Sequence, residues 1–504
     1  MNTYDVIIVG AGIAGSALAH ALSSQTKTRP LRIALLERSL SEPDRIVGEL
    51  LQPAGVAALN TLGLSSCLED IDAIPVHGYA VVRGHDLVHI PYPDGRQGRS
   101  FHHGRFIMKL RDAAKKAVGV DVIEATVSGL VECPQTERVL GVRASRSSSV
   151  SDTVQEEKEE FYAHLTIIAD GCFSNFRSAV LGSSLRPTAT RSYFAGLILK
   201  DAKLPIPQHG TVALVKGQGP VLIYQISEGD TRMLVDVKQP VPSDLKGHIL
   251  TNVVPSLPPS LHAPIRTALD ANRLRRMPNS FLPPTPQGRR KTKDGVILLG
   301  DAWNMRHPLT GGGMTVALND VVWLSRSLCE LETLENWEEI RPILGKWWWE
   351  RKGLAGTINI LSVALYDLFG ADDDALEVLQ TGCFKYFERG GECVRGPVSL
   401  LSGIAPSTSL LAYHFFSVAF FAIWVLFTHP RVCSSSSYDT NGHANGTNNG
   451  PAHVTTNGNA HDKKKIMLAP RIHEYPGLCV KSIQVFWTAC VVFGPLLWTE
   501  MKWW

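Results

Sequence analysis

Apolar runs of strand length recur along the chain, and four of them stop at a glycine or an acid. Tyr4 to Val9 (YDVIIV) is β-branched, ends at Gly10, and gives way to small residues through Leu22, which predicts a strand, a tight turn and a helix. Leu31 to Leu36 forms a second strand ending at Glu37. Leu165 to Asp170 followed by Gly171, and Val296 to Leu299 followed by Gly300-Asp301, repeat the pattern. After the last of these, Gly311, Gly312 and Gly313 open another helix. Between Arg191 and about Pro286 the runs become strands such as Pro220 to Ile226 and Met233 to Val237 with proline-rich connections, the pattern of an antiparallel sheet inserted between the other strands. Helices resume after Gly313 and continue through Lys346 to Phe369, where Trp347, Trp348 and Trp349 read as helix packing. The Ser- and charge-rich stretch Arg143 to Glu160 reads as a solvated hairpin extension.

Beyond Gly396 the pattern changes in kind. Val398 to Thr428 carries no Asp, Glu, Lys or Arg and exceeds the roughly 20 residues that cross a bilayer. Pro406 and several Ser interrupt its first third, leaving Leu410 to Thr428 as the best continuous helix. A second run, Ile483 to Trp498, is shorter and contains Pro495; whether it spans, re-enters or lies on the bilayer stays open. Trp487, Trp498, Trp503, Trp504 and Lys502 suit a membrane interface. Ser434 to Lys465 is polar and Asn/Gly-rich, the composition of a disordered linker. Its Asn445-Gly446-Thr447 sequon is read as a chance match.

The strand ends carry the candidate chemistry. Gly10, Gly12 and Gly15 follow a strand and open a helix, and Glu37 lies where an acid reaches the ribose of a bound dinucleotide. Arg38 beside it suits either a 2′-phosphate or a solvated turn. An NAD site needs only this first strand end, whereas extended FAD needs a distant second one for its ribityl and flavin portions. Gly300-Asp301 supplies that end, and the run Gly311 to Gly313 would bring a helix N-terminus to the pyrimidine end of a flavin, where negative charge develops on reduction. Three strands ending at an acid, Glu37, Asp170 and Asp301, therefore favour FAD. His307 and Pro308 between these features read as pocket wall.

Bulk properties narrow the class further. A chain of 504 residues exceeds one compact core. A net charge of +3 gives no warrant for nucleic-acid binding. The nine Cys form no CxxC pair and read as reduced, mostly buried thiols, and no metal-ligand spacing appears. His102-His103 is the tempting pair, and neighbours on a strand would face opposite ways. The first strand begins within four residues of Met1, which predicts no cleaved leader and a catalytic portion in the cytosol.

With GAGIAGSALA, ERSLSEPDRIVGELLQPAG, GRSFHHGRFIMKLR, ADGCFSNFR, VLIYQIS, RMPNSFLPP, GDAWNMRHPLTGGGMTVA and GGECVRGPVSLLS in place, the chain resembles the squalene epoxidases (squalene monooxygenases) of the FAD-dependent monooxygenase superfamily, in their shorter, fungal form. The resemblance covers nearly all of it except the Ser-rich loop and the Asn-rich linker. It implies an α/β fold: a Rossmann-like FAD-binding domain (1–78, 100–190 and 287–345), an inserted antiparallel β-sheet substrate domain (79–99 and 191–286), and a C-terminal helical membrane-associated region (346–504, with linker 433–465). It further implies that Ile13, Ala14, Glu37 and Arg38 hold the adenosine half of FAD. Arg45 and Arg105 would make further nucleotide contacts, and Val127 a backbone contact to adenine. Asp301 and Met314 would meet the ribityl and flavin parts, and Tyr79 would stand near substrate and flavin. The family implies squalene and O2 as substrates and electrons from NADPH through a separate diflavin cytochrome reductase. It also implies a place in the endoplasmic reticulum membrane or on lipid droplets, with the catalytic part facing the cytosol.

Epoxidising an unactivated alkene needs an electrophilic oxygen, which a flavin hydroperoxide supplies. No Ser/His/Asp or Cys/His constellation stands out along the sequence, which agrees with chemistry carried by a cofactor. Tyr79 is expected to orient flavin or substrate through a hydrogen bond, because a phenol titrates too high to act as a base near neutrality. Two other readings use the same two-ended FAD fold, an aromatic hydroxylase and a flavin reductase of isoprenoid chains. A third, a prenyl-binding escort protein, lacks a complete flavin site. Glu37, Asp301 and Gly311 to Gly313 speak against that last reading.

Overall fold

The computed structural model describes residues 2–24, 30–148, 155–271, 273–428, 431–433, 466–468, 470 and 472–501. The apolar runs at the N-terminus form one half of a seven-stranded sheet. Its order is Val120–Glu124, Ile33–Glu37, Asn2–Val9, Gln155–Ile168, Val139–Ser148, Thr126–Glu132, with Val296–Leu298 also paired to Gln155–Ile168. The first four strands and Val296–Leu298 run parallel. The Ser-rich stretch extends the antiparallel pair Val139–Ser148 and Gln155–Ile168, which stay in register out to Ser148 and Gln155.

Helices cover this sheet because its central strands are apolar on both faces. Val6, Ile7, Ile8, Leu35, Ile167 and Ile297 are essentially solvent-free. The helix Ile13–Ser23 packs close to its own strand at Gly15, where an added Cβ would stand 1.9 Å from the carbonyl oxygen of Gly10. Any side chain there would push the helix off the turn.

A second seven-stranded sheet runs Arg275–Phe281, Ala189–Lys200, Asp230–Lys238, Val221–Gln225, Gly210–Ala213, Gly78–Arg83, Asp86–Pro91. It is antiparallel except where Gly210–Ala213 lies parallel to Gly78–Arg83. That parallel step departs from the expected all-antiparallel sheet, and arises because the strand Gly78–Arg83 arrives from far upstream instead of through a hairpin. Both faces of this sheet are covered. The helix Pro259–Asp270 closes one face through Leu261, Ile265 and Leu269. On the other face, Tyr79, Phe194, Leu222 and Tyr224 pack with Leu309, Tyr366, Phe369, Phe384 and Val398 from the cradle loop and C-terminal helices.

The helical stretch expected through Phe369 consists of Trp337–Glu350 and Lys352–Gly370. Trp347 and Trp348 are buried, and Trp347 packs 4.6 Å from Trp303, while Trp349 reaches the surface. Among the described residues, three helices are long and apolar enough to cross a membrane: Lys352–Gly370, Thr408–Thr428 and Ile472–Glu500. The first is mostly enclosed by protein and the other two are mostly exposed. The apolar run Ile483 to Trp498 is thus the core of a longer helix, Tyr475–Met501, with Pro495 inside it. At 1.5 Å per residue that helix is about 40 Å long, more than a bilayer core. Cysteine exposure also differs from expectation: Cys67 and Cys383 are buried, five others are half-buried and Cys479 is exposed, all as free thiols. The linker 434–465, its sequon and residues 502–504 lie outside the described residues.

A buried ion pair fastens the second sheet to the segment that leads into the short strand Leu50–Leu51. Glu49, just before that strand, accepts from Nε and Nη2 of Arg232 on the second sheet at 2.7 and 2.8 Å, and both side chains are almost wholly buried. Burial pushes the Glu49 carboxyl up, against the opposing pull of Arg232. Replacing Arg232 with Met strands that carboxylate and should lower stability by about 3–5 kcal/mol. The double change Glu49→Leu with Arg232→Met should recover most of the loss. Denaturant titration of solubilised protein measures both, and a single-variant loss below about 1 kcal/mol would show that the pair does not hold the second sheet to this segment.

Candidate active site

Parallel pairing places four strand ends side by side. The ladder continues one step beyond the strands: Gly10 N–H donates to Leu36 O (2.7 Å), Ala169 N–H to Val9 O (2.7 Å) and Leu299 N–H to Ile168 O (2.9 Å). Gly10, Glu37, Asp170 and Gly300-Asp301 therefore share one edge of the sheet. Ligands of open α/β sheets bind along that edge. The helix Ile13–Ser23 starts there with Gly12 as its N-cap and no side chain capping it. Ile13 and Ala14 form its first turn, and a Cβ on Gly300 would lie 3.3 Å from that of Ala14. The Gly300 turn thus lies against the first turn of that helix.

Glu37 is held ready at the strand end. Its Oε2 accepts from Ala11 N–H at 2.8 Å. Arg111, buried on the helix His103–Lys116, stands 3.6 Å from the same oxygen and donates to the Ala11 and Ser41 carbonyls. Arg38 is exposed next to it. Ala125 N–H donates to Glu37 O, and Val127 follows two residues later on Thr126–Glu132. Arg105 pairs with Asp72 on the surface. Sequence reading passed over Arg111, whose only signal was a cation among buried positions of an amphipathic helix.

Asp301 is exposed at the strand edge, yet the protein crowded around its carboxyl raises its pKa, while Arg306, Arg45 and Arg177 oppose the rise. Arg45, itself exposed, acts on it through its charge. Arg177 staples two strand ends together, donating to the carbonyls of Ala302 (2.7 Å), Asp301 (2.9 Å), Gly171 (3.0 Å) and Cys172 (2.7 Å).

The glycine run behaves as a cradle. Gly311 is left-handed, Gly312 is the N-cap, and the helix Gly313–Cys329 begins without a side-chain cap, with Met314 buried in its first turn. A Cβ on Gly312 would meet Ile358 at 2.4 Å, so the loop lies directly on Lys352–Gly370. Gly12 and Gly313 face open space. Two uncapped helix starts, a ribose-type acid at one end and Asp301 at the other fit FAD. Among the described residues, Thr310 Oγ1 and Arg306 Nε, both buried beside the cradle, have no hydrogen-bond partner, which leaves polar capacity for a ligand.

Tyr79 reaches the cradle through Gln52, a residue the sequence did not single out. Gln52 Nε2 donates to the Tyr79 hydroxyl and to Thr310 O (2.8 Å), and Tyr92 O–H donates to Gln52 Oε1 (2.6 Å). All three side chains are buried, and burial raises the Tyr79 phenol pKa, with the Gln52 and Tyr92 contacts opposing it. A neutral hydrogen-bonding phenol is the form present at physiological pH.

His307 is more than pocket wall. Leu309 N–H donates to its Nδ1 (3.2 Å), which places the ring proton on Nε2, facing Ser192 Oγ (3.2 Å) and Asp236 Oδ1 (3.4 Å). A buried Ser/His/Asp set therefore exists in space although none stood out in the sequence, its members coming from three separate segments. It is not a nucleophile: the Ser192 hydroxyl gives its proton to Asp236 Oδ1 at 2.5 Å, and Asn279 donates to the same oxygen at 2.8 Å. The set fastens the second sheet to the cradle loop. His102 and His103 open a helix instead of lying on a strand.

The fold defined by these sheets is that of flavin-dependent monooxygenases. A probable FAD-dependent monooxygenase from Pseudomonas aeruginosa superposes with a TM-score of 0.58 at 20% identity, covering 74% of this chain and 97% of that one. A flavin-dependent brominase superposes at 0.62 and 14% identity, over 83% and 99% of the two chains. The squalene epoxidase family model matches residues 162–437. A squalene epoxidase of Aspergillus fumigatus is 43% identical over 99% of this chain and 94% of its own length. A squalene monooxygenase of Mus musculus is 42% identical over 86% and 74%, and a squalene epoxidase of Saccharomyces cerevisiae 39% identical over 84% and 89%. The chain belongs to the squalene epoxidase family.

His103 predicts how stability varies with pH around this site. Its Nδ1–H donates to Gly48 O (2.8 Å), and burial lowers its pKa from 6.5 to about 4. The unfolded chain takes up a proton below pH 6.5 that the folded one refuses until about pH 4. This group should therefore cut stability by about 1.4 kcal/mol per pH unit across that window as pH falls. Subtracting the stability–pH profile of His103→Gln should reveal that slope; parallel profiles would rule it out.

Proposed function

We propose that this enzyme is an FAD-dependent squalene monooxygenase, which uses O2 to convert a terminal double bond of squalene into (S)-2,3-oxidosqualene in sterol synthesis. Membership of the squalene epoxidase family together with the two-ended cradle carries this reading. The bound flavin supplies activated oxygen for insertion into the alkene. Gly10, Gly12, Ile13, Ala14, Gly15, Glu37, Arg38 and Arg45 would hold its nucleotide half, with Val127 at the adenine and Arg105 at the rim. Asp301, Gly311, Gly312, Gly313 and Met314 would hold its ribityl and ring portions.

The chain's own residues bind, aim and exclude water. Squalene has no polar group, so it is held by apolar contact and shape. The layer of Phe194, Leu222, Leu309, Tyr366 and Phe369 between the second sheet and the C-terminal helices offers such a surface, and Tyr79 stands at its flavin side. The division into a discontinuous FAD-binding domain, a sheet-based substrate domain and a helical membrane region follows the same logic. As the family resemblance implies, electrons would come from NADPH through a separate diflavin cytochrome reductase. Two exposed apolar helices support membrane attachment, and we place the enzyme in the endoplasmic reticulum or on lipid droplets, with its catalytic part in the cytosol.

Reconstitution with squalene, NADPH, reductase and O2, with chromatographic detection of 2,3-oxidosqualene, tests the activity. Absence of that product from flavin-loaded protein would refute it. In Tyr79→Phe, Gln52 keeps its bonds to Thr310 and Tyr92, so flavin content should stay unchanged while kcat falls about 5- to 10-fold, the worth of one buried hydrogen bond. Undiminished turnover would remove Tyr79 from the site.

A further inference from the structure

The helix Tyr475–Met501 ends in an anomaly. From Ser482 to Thr499 it carries no charged residue. Val485, Ala489 and Phe493 are buried on one face, and Ile483, Trp487, Val491 and Trp498 are exposed on the other. Glu500 lies seven residues beyond Phe493, a spacing that returns it to the buried face. An acid at the end of a membrane-facing helix ordinarily turns to water, because desolvating it is expensive. This one turns inward. Its Oε1 accepts from Asn359 Nδ2 at 3.0 Å, and its Oε2 lies against Gly356, both on Lys352–Gly370. Lys352 Nζ donates to its backbone carbonyl.

The contact continues to the cradle. Asn359 is buried, and its Nδ2 also lies 3.3 Å from Asn304 Oδ1. That oxygen accepts from Arg306 (2.8 Å) and Arg351 (3.1 Å). Arg351 is neutralised by both oxygens of Asp320. Arg306 bonds only to neutral acceptors, Asn304 and, at 3.4 Å, the carbonyl of Gly312, the N-cap of the cradle helix. Burial lowers the Arg306 pKa to about 10, and Asp301, Asp320 and Glu500 are the carboxylates that compensate its charge at longer range. Hydrogen bonds thus run from the membrane helix through Asn359, Asn304 and Arg306 to Gly312.

We propose that Glu500 is a positioning residue for the cradle, so that tight cofactor binding requires the C-terminal helix to be seated against Lys352–Gly370. The inference rests on the flavin reading of the cradle. It makes membrane attachment and cofactor retention one linked equilibrium: a helix drawn away from the protein releases Asn359 and loosens the Arg306–Gly312 contact.

Full-length apoprotein in phosphatidylcholine nanodiscs, titrated with FAD and followed by flavin fluorescence, tests it. Leu suits the helix and the membrane at least as well as Glu, so Glu500→Leu should insert normally yet bind FAD about 10-fold more weakly. Asn359→Leu, which leaves the membrane helix untouched, should do the same, and the double variant should be no worse than either single one. A merely structural role for each would instead multiply the two effects. FAD affinity within twofold of the parent in Glu500→Leu, or multiplicative losses in the double variant, would overturn the coupling alone. A parent protein that takes up no FAD would overturn the coupling and the flavin reading together.

Discussion

Parallel β-pairing is the constraint on which the rest of this molecule depends. Strands that run the same way must all finish on the same edge, so segments hundreds of positions apart deliver their last residues to one line. Gly10, Glu37, Asp170 and Gly300 meet there because Val9, Leu36, Ile168 and Leu298 are hydrogen-bonded neighbours or next-neighbours in one sheet. Backbone N–H groups at two uncapped helix starts then converge on the same edge without any side chain having to aim them. The second sheet, the cradle loop and the C-terminal helices are placed relative to that line.

Buried and half-buried arginines hold the loops to it. A guanidinium offers five donors in a rigid fork, so one side chain can tie several carbonyls that a lysine would reach one at a time. Arg111 joins the glycine turn to Ser41, Arg177 joins the Asp301 turn to Gly171 and Cys172, and Arg232 joins Glu49 to the second sheet. Each has partners that make its burial tolerable. Arg306 is the outlier, with neutral partners and an unbonded Nε, and its environment is therefore sensitive to carboxylates as remote as Glu500.

What the sequence revealed follows from what is local. The glycine turn, the acid-terminated strands and the cradle were legible because each is a contiguous pattern whose periodicity and glycine placement have one physical reading. Arg111, Arg177 and Gln52 were not, because their roles depend on bonds across tens to hundreds of positions. The His307, Asp236 and Ser192 set was invisible for the same reason, and His307 alone looks like any buried residue of a turn. The parallel pair inside the second sheet was missed because strand periodicity is silent on direction. The C-terminal helix was read short because hydropathy marks the apolar core of a helix and passes over the turns Tyr475 to Lys481, where Pro476, Gly477 and Lys481 break the apolar run but the chain stays helical.

A substrate made only of carbon and hydrogen explains why the two halves differ so much. Nothing in squalene can accept a guanidinium or a backbone N–H, so polar positioning has to be spent on the cofactor and on the walls themselves. The first sheet's edge is accordingly polar and glycine-rich, whereas the second sheet turns an aromatic and aliphatic face toward the C-terminal helices. The two regimes touch at Tyr79, which lies on an apolar strand but is hydrogen-bonded through Gln52 to the cradle carbonyl of Thr310. A displaced cradle would therefore displace Tyr79 and the apolar layer beside it. The far side of that layer is covered by Lys352–Gly370, Asp374–Glu388 and Glu392–Leu401 through Tyr366, Phe369, Phe384 and Val398.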